Sequence, residues 1–322
     1  MLPDFASALA YYIFNFLSYI SMVTLLIKRK DIFFATEAVT RLSRKINPKK
    51  FVGSKTIIFE LLAWILLSFS LMIIFILLYF YQEWNDYVKV LHLPILGYYS
   101  NSTTYTGIVV LSVVSCHTTS FATCFLSVIV VYSAFVSVSD LLDSFRRMMR
   151  RQMVNKSDSG FVVKNLTLFR EISTSAKDVD GALNACCLFI LGTVISSFFS
   201  TISVMFSPSP SFQTGVARGY VVLTLISGVC IFLVLAMSGN KVASSCQSLK
   251  ATVMEISEKM ASYSSDPSVM RQFNLLSANI KDTNLGVTGC EMFTINKSLI
   301  LTVGGMVITY SFLLIQINNK EE

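Results

Sequence analysis

Residues 298–317 read SLILTVGGMVITYSFLLIQI, a run without a single formal charge. In a helix, roughly 20 apolar residues at 1.5 Å each cross the ~30 Å hydrocarbon core of a bilayer. One side chain fits that picture poorly. Gln316 lies six residues after Tyr310, at the far end of the run. A primary amide in hydrocarbon carries a desolvation penalty unless it finds a partner, so Gln316 asks for a neighbour or for water.

The rest of the chain agrees with a membrane setting. Its 322 residues are 53% hydrophobic and only 14% charged, with a mean hydropathy of +0.63; a soluble domain carries about 25% charged residues. Further apolar runs at about 5–27, 57–81, 105–136, 183–206 and 216–237 join the last, 295–317. This predicts an all-α polytopic membrane protein, one domain over 1–322, with about six spans.

Charge sets the orientation. Nine Lys and Arg fall in 28–56, eight in 137–182 and six in 238–297, whereas the opposite side holds only Lys89, Arg218 and Lys320. The positive-inside rule places the rich side in the cytoplasm and both termini outside. The formal charge of +7 is then explained by topology, and no nucleic-acid partner is implied. Residues 1–27 lack a basic n-region and run into Lys28-Arg29-Lys30, unlike a cleaved signal peptide.

The cytoplasmic segments, about 137–182 and 238–294, read as helical. Leu249, Val253, Ile256, Met260 and Tyr263 repeat at spacings of four and three, and Phe273, Leu276, Ile280 and Val287 continue in similar style. Such stripes bury one face. Asp266-Pro267 divides the two helices, and proline suits the opening turn of the second. The run 105–136 exceeds the hydrocarbon thickness and is expected to continue through Leu142, Phe145 and Met149. The buried faces fit either packing within one subunit or a helical base where subunits meet.

Sequons help mark the sides. Asn101 lies in a predicted outer loop and is a glycosylation candidate; Asn155 and Asn165 lie on the cytoplasmic side and are expected to stay bare. Of seven cysteines none falls in an outer loop, so no structural disulfide is expected. The pair Cys186-Cys187, with two histidines in the whole chain and no C-x-x-C spacing, gives no support to a metal site. Phosphate-loop, nucleophile-elbow and metalloprotease motifs are absent. Neither an enzyme nor a cofactor is expected.

TYSFLLIQI at 309–317 resembles the closing signature of the insect gustatory receptor family, Thr-Tyr, five apolar residues, then Gln-Phe. Upstream, Gly289, Phe293 and Ile295 are similar to the family's approach to its last span, and the likeness is strong over about 240–317. Elsewhere it is one of span and loop order. Ile317 stands where an aromatic is usual. Ser311 stands where sugar-sensing members carry glutamate, which argues against a sugar ligand. The resemblance implies a gustatory/odorant receptor-like fold of seven spans. Counting back from the signature, the spans here correspond to the second to seventh, which suggests a truncated chain lacking the first, with a true six-span protein as the alternative.

The resemblance further implies a tetrameric, ligand-gated, non-selective cation channel of the plasma membrane, C-terminus extracellular, whose last helix lines the pore. Leu313, Gln316 and Ile317 share one helical face by spacing. They would form two apolar rings and a polar ring that meets a partly hydrated cation, with Thr309 and Tyr310 holding the helix in place. From the residues alone, Gln316 reaches the outer interface and Tyr310 packs on a neighbouring helix. His117, Thr118, Ser120 and Phe121 in the third span, with Phe198 further on, form a candidate pocket for a small tastant; interhelical hydrogen bonding is the plainer reading of such a polar patch. The competing functions are a G-protein-coupled-type receptor, a non-functional truncated fragment and a secondary transporter. Against the first stands an external C-terminus, and against the last the lack of visible internal repeats or mid-membrane charges. Partners implied are the tastant, cations, lipid and related subunits in a homo- or hetero-tetramer.

Overall fold

The computed structural model describes residues 2–47, 103–153, 159–206, 215–263 and 267–318. The predicted span at 57–81 and the sequons at Asn101 and Asn155 lie outside the described residues. Helices α1 (Leu2–Ile27), α2 (Arg29–Ile46), α3 (Thr103–Met153), α4 (Ser159–Met205), α5 (Gly215–Tyr263) and α6 (Pro267–Asp282) precede a hairpin of β1 (Thr288–Gly289) and β2 (Phe293–Thr294). Helix α7 (Lys297–Asn318) follows. Among the described residues the fold is all-α apart from that hairpin.

Helices α3, α4 and α5 have 51, 47 and 49 residues, so each is about 70–77 Å long at 1.5 Å per residue. That is more than twice the hydrocarbon thickness. The predicted span at 105–136 continues, as expected, through Leu142, Phe145 and Met149, and those at 183–206 and 216–237 likewise run on as the same helix into the adjoining charged segments. The sequence permits this because none of the three contains a proline. The proline at 267 opens α6 instead.

Among the described residues, four helical stretches are long and apolar enough to cross a membrane: Ala122–Arg151, Gly160–Met205, Thr224–Met260 and Lys297–Gln316, with a shorter apolar stretch Tyr12–Ile27 in α1. Helix α1 passes into α2 with a local turn at Lys28. The Lys28 N–H still bonds Thr24 O and the Ile32 N–H bonds Lys28 O, both at 2.9 Å. Beyond the turn, Ala35, Val39 and Leu42 form a four-three stripe buried against α3 and α4.

The halves of these helices nearest the basic segments share one apolar core. Leu141, Leu142, Phe145 and Met149 of α3 meet Phe169 and Ile172 of α4, Leu249, Val253, Ile256 and Met260 of α5, and Phe273, Leu276 and Ile280 of α6. The rings of Phe145 and Phe169 stack with centroids 6.0 Å apart. Full burial of each such side chain stabilises by about 1.5–3 kcal/mol, so these stripes fasten the helices within a single chain. Ion pairs on the outside, Glu255 with Lys259 at 2.8 Å and with Arg150 at 3.7 Å, are exposed and add little.

Helix α7 is different. In its most apolar stretch 6% of residues are buried, against 44% to 61% in the other three.

Candidate functional site

The site is the last helix, and its geometry starts at the hairpin from which it springs. Thr288 pairs with Thr294 and Gly289 with Phe293. The turn closes through Met292 N–H to Gly289 O at 3.0 Å, with Cys290 and Glu291 both at positive φ, 50° and 60°. Two successive positive φ values are the geometry of a tight primed turn, which glycine or asparagine usually supplies. Gly289 is required for a different reason, since a Cβ there would come within 2.3 Å of the Phe293 ring. The glycine leaves room for the far edge of that ring beside the strand pair.

The hairpin is fixed to its neighbours by backbone and side chain. Asp180 of α4 accepts from Thr288 twice, from the backbone N–H at 2.8 Å and from the hydroxyl at 2.7 Å. Cys290 N–H donates to Asn184 O at 3.3 Å, and Ile295 N–H to Val287 O at 2.8 Å. On the α5 side, a Cβ on Gly239 would stand 2.2 Å from the carbonyl oxygen of Ile295, so only glycine admits the strand so close. Asn296 then caps α7, its Oδ1 accepting from Ser298 N–H at 2.9 Å and so satisfying one of the helix's orphan donors.

Along α7 the described side chains are mostly open. Leu301, Ile308, Phe312 and Leu313 are exposed, as is Gln316, while the side chain of Ile317 lies outside the described residues. Leu313 and Gln316 thus lie uncovered on one helical face. Thr309 is exposed too, and its hydroxyl bonds Gly305 O within its own helix at 2.9 Å. Tyr310 turns inward. Its hydroxyl lies 2.8 Å from Ser203 Oγ and its ring meets Phe199 edge-on, centroids 4.6 Å apart. Ser203 already gives its one proton to Phe199 O at 2.8 Å, so Tyr310 is the donor in the pair.

Of the five pocket residues, Ser120 and Phe198 have described side chains, and these two engage different helices. The Ser120 hydroxyl is buried and donates to Asn15 Oδ1 of α1 at 2.6 Å. Ser18 donates to the Ser120 carbonyl and lies 2.8 Å from Thr123 Oγ1. Ser120 is therefore part of an α1–α3 seam of hydroxyls, extended to α4 by Ser21 beside Cys186 Sγ at 3.4 Å. Phe198 faces the other way, edge-on to Phe232 of α5 at 6.4 Å. The side chains of His117, Thr118 and Phe121 lie outside the described residues. Asn165 is buried, its amide donating to Phe161 O at 3.0 Å. Among the described residues no cluster suited to a metal occurs.

Asp180, Thr288, Ser203 and Gly239 escaped the sequence reading. Asp180 is an acid between Lys177 and the apolar start of a span, which resembles any interfacial charge. Ser203 is one of many serines in α4. Only the neighbourhood of Gly289 carried a signal, through its resemblance to a known approach to the last span.

The sequence matches the 7tm chemosensory receptor family over residues 5–320. This chain belongs to that family. No curated protein matches the receptor. Among solved structures it is similar to the insect olfactory receptor OR5 from Machilis hrabei in complex with eugenol, with a TM-score of 0.58 at 12% identity over 98% of this chain and 88% of that one. A second structure of the same olfactory receptor gives 0.52 at 14% identity over 98% and 87%. At such identity the likeness establishes the fold, a chemosensory receptor fold built from long membrane-crossing helices.

Proposed function

We propose that this receptor is a subunit of a gustatory-type, ligand-gated, non-selective cation channel in the plasma membrane, opened by a small tastant, with α7 lining the central pathway of a tetramer. The observation that carries the reading is the state of α7 in a single chain. It is long and apolar enough to span, yet almost uncovered, and it carries Gln316 exposed on the face of Leu313. Lipid would satisfy Leu313 but not the amide of Gln316. A water-filled axis shared by several copies satisfies both, with Leu313 and Ile317 as apolar constrictions and Gln316 as a polar ring. The gustatory rather than olfactory assignment rests on the 309–317 signature.

Two measurements test it. Single-particle imaging of the solubilised receptor should give four-fold particles; a clean monomer speaks for a receptor of another kind or for a fragment. In a conducting preparation, Gln316→Lys should block cation current or shift selectivity. Permeation unchanged by that substitution would remove Gln316 from the pathway.

A further inference from the structure

Helix α7 packs on both α4 and α5, and its side-chain hydrogen-bonded ties lie at two levels, both involving α4. Toward its C-terminal end Tyr310 meets Ser203 and Phe199. At the root, Asp180 grips the hairpin that leads directly into α7. Residues 180 and 203 are separated by about 35 Å of one straight helix. Between these ties α7 is nearly uncovered, so its placement depends on few contacts.

The root is the more telling tie because its chemistry is specific. Thr288 presents two donors, N–H and O–H, to one side chain, and both end on the oxygens of Asp180. A carboxylate alone offers two acceptors without a donor; an asparagine offers one acceptor and would have to turn its amide hydrogens toward the threonine oxygen. Hydrogen bonds to an ionised acceptor are about twice as strong as neutral ones. Behind the pair lies a cavity of about 130 Å³, lined by Phe135, Val138, Ala176, Lys177 and Val242 besides Asp180 and Thr288. Apolar burial of Val287 and Ile295 in the core is supplemented on the cavity side by the two hydrogen bonds, together with the Asn184 carbonyl and the Gly239–Ile295 approach.

We infer that Asp180 is a positioning residue for the last helix: through Thr288 it sets where α7, and with it the Gln316 face, stands relative to α4. In the channel reading, on which this role in gating rests, Asp180 couples movement of α4 to the pore helix from the cytoplasmic side.

The test places a reporter at the opposite end of α7. Gln316→Cys is introduced into the full chain, reconstituted in lipid, and its reaction rate with a membrane-impermeant methanethiosulfonate is measured over the background of the native cysteines. Adding Asp180→Ala should change that rate about tenfold, as expected for coupling between linked sites. Asp180→Asn, which keeps one acceptor, and Thr288→Val, which keeps the backbone N–H, should give intermediate changes, and Thr288→Ser should leave it unchanged. Ser120→Ala, which weakens a distant seam, should lower the unfolding temperature without moving the rate. If Asp180→Ala does not fold, Thr288→Val carries the test. Rates within about twofold of the parent for every clamp variant, close to the error of independent sites, would overturn the inference.

Basal cation flux from the same vesicles separates this inference from the channel reading. A parent that passes no cations, yet whose reporter responds to Asp180, sinks the channel and keeps the clamp. A conducting parent whose flux and reporter both ignore Asp180 and Thr288 does the reverse.

Discussion

The Tyr310 hydroxyl donates to Ser203 Oγ across 2.8 Å, joining the last helix to α4 toward the C-terminal ends of both. The tyrosine ring adds an edge contact to Phe199, so hydrogen bond and ring contact can be removed separately. Tyr310→Phe keeps the ring and should cost roughly 0.6 kcal/mol, the average for interhelical hydrogen bonds in membranes. Tyr310→Ala also leaves a cavity and should cost about 3 kcal/mol or more. A thermal-unfolding cycle with Ser203→Ala decides the matter. Tyr310→Phe and Ser203→Ala should be less than additive, and full additivity would mean the bond contributes nothing.

The same helix shows what sequence can and cannot reveal. Tyr310 and Gln316 were legible because polar groups inside an apolar run are rare enough to demand a reason. Ser203 was not, since a serine in a span looks alike whether it bonds its own helix or another. The stripes at Leu249–Met260 and Phe273–Ile280 announced their buried faces by period, and the structure buries those residues. The sequence reading carried the third span on past 136, as α3 runs, but divided the other spans from the segments predicted to be cytoplasmic, whereas α4 and α5 run through both, because hydropathy can fall along a helix that does not end. Gly239 gave no signal at all. Its reason is the carbonyl of Ile295, far away in sequence, and a close approach of two backbones leaves no period to read.

The seam between α1 and α3 yields a second expectation. Ser120 is fully buried and gives its hydroxyl proton to Asn15 Oδ1 at 2.6 Å. Ser120→Ala removes that donor and should destabilise by about 1–2 kcal/mol, within the range for buried polar groups losing a partner. The unfolding temperature in detergent should fall, and Ser120→Thr should recover most of the loss. A stable Ser120→Ala protein would show that the seam is already satisfied otherwise.

Orientation has its own check. With the basic loops in the cytoplasm, an endoglycosidase-sensitive glycan is expected on Asn101 and should vanish in Asn101→Gln. Asn165 is excluded on separate grounds, since its amide is buried against Phe161 O in the folded helix. Glycan on Asn155 would invert the topology, and with it the side from which Gln316 is reached.

The turn of the hairpin stores backbone strain. Glu291 is exposed and has φ of 60°, a conformation that costs a residue with a Cβ roughly 1–2 kcal/mol. Glu291→Gly relieves it at some loss of unfolded-state entropy, so stability should rise by up to about 1 kcal/mol. Glu291→Val should lower it. A melting series of the two variants reads the sign directly, and equal shifts would mean that the turn relaxes without cost.

Gly239 makes the firmest prediction, because what a side chain would strike there is backbone. A Cβ would lie 2.2 Å from Ile295 O and 3.0 Å from its carbonyl carbon, and the first of these is a distance no such atom pair tolerates. Relief requires α5 to move away from the segment that Asn296 caps and Asp180 grips from the other side. Overpacking of this kind costs about 1–3 kcal/mol where side chains can give, and more where they cannot. Gly305, on α7, offers the control: nothing lies within 4 Å of a Cβ there. Gly239→Ala should therefore lower the yield of folded receptor and its unfolding temperature. Gly305→Ala should leave the single-chain fold intact, so any loss it causes must come from contacts α7 makes outside its own chain. Subunit counting on Gly305→Ala then reports on assembly alone: four-fold particles lost from a well-folded protein would place that face of α7 against its neighbours, and particles unchanged would leave the face to lipid or to the pore.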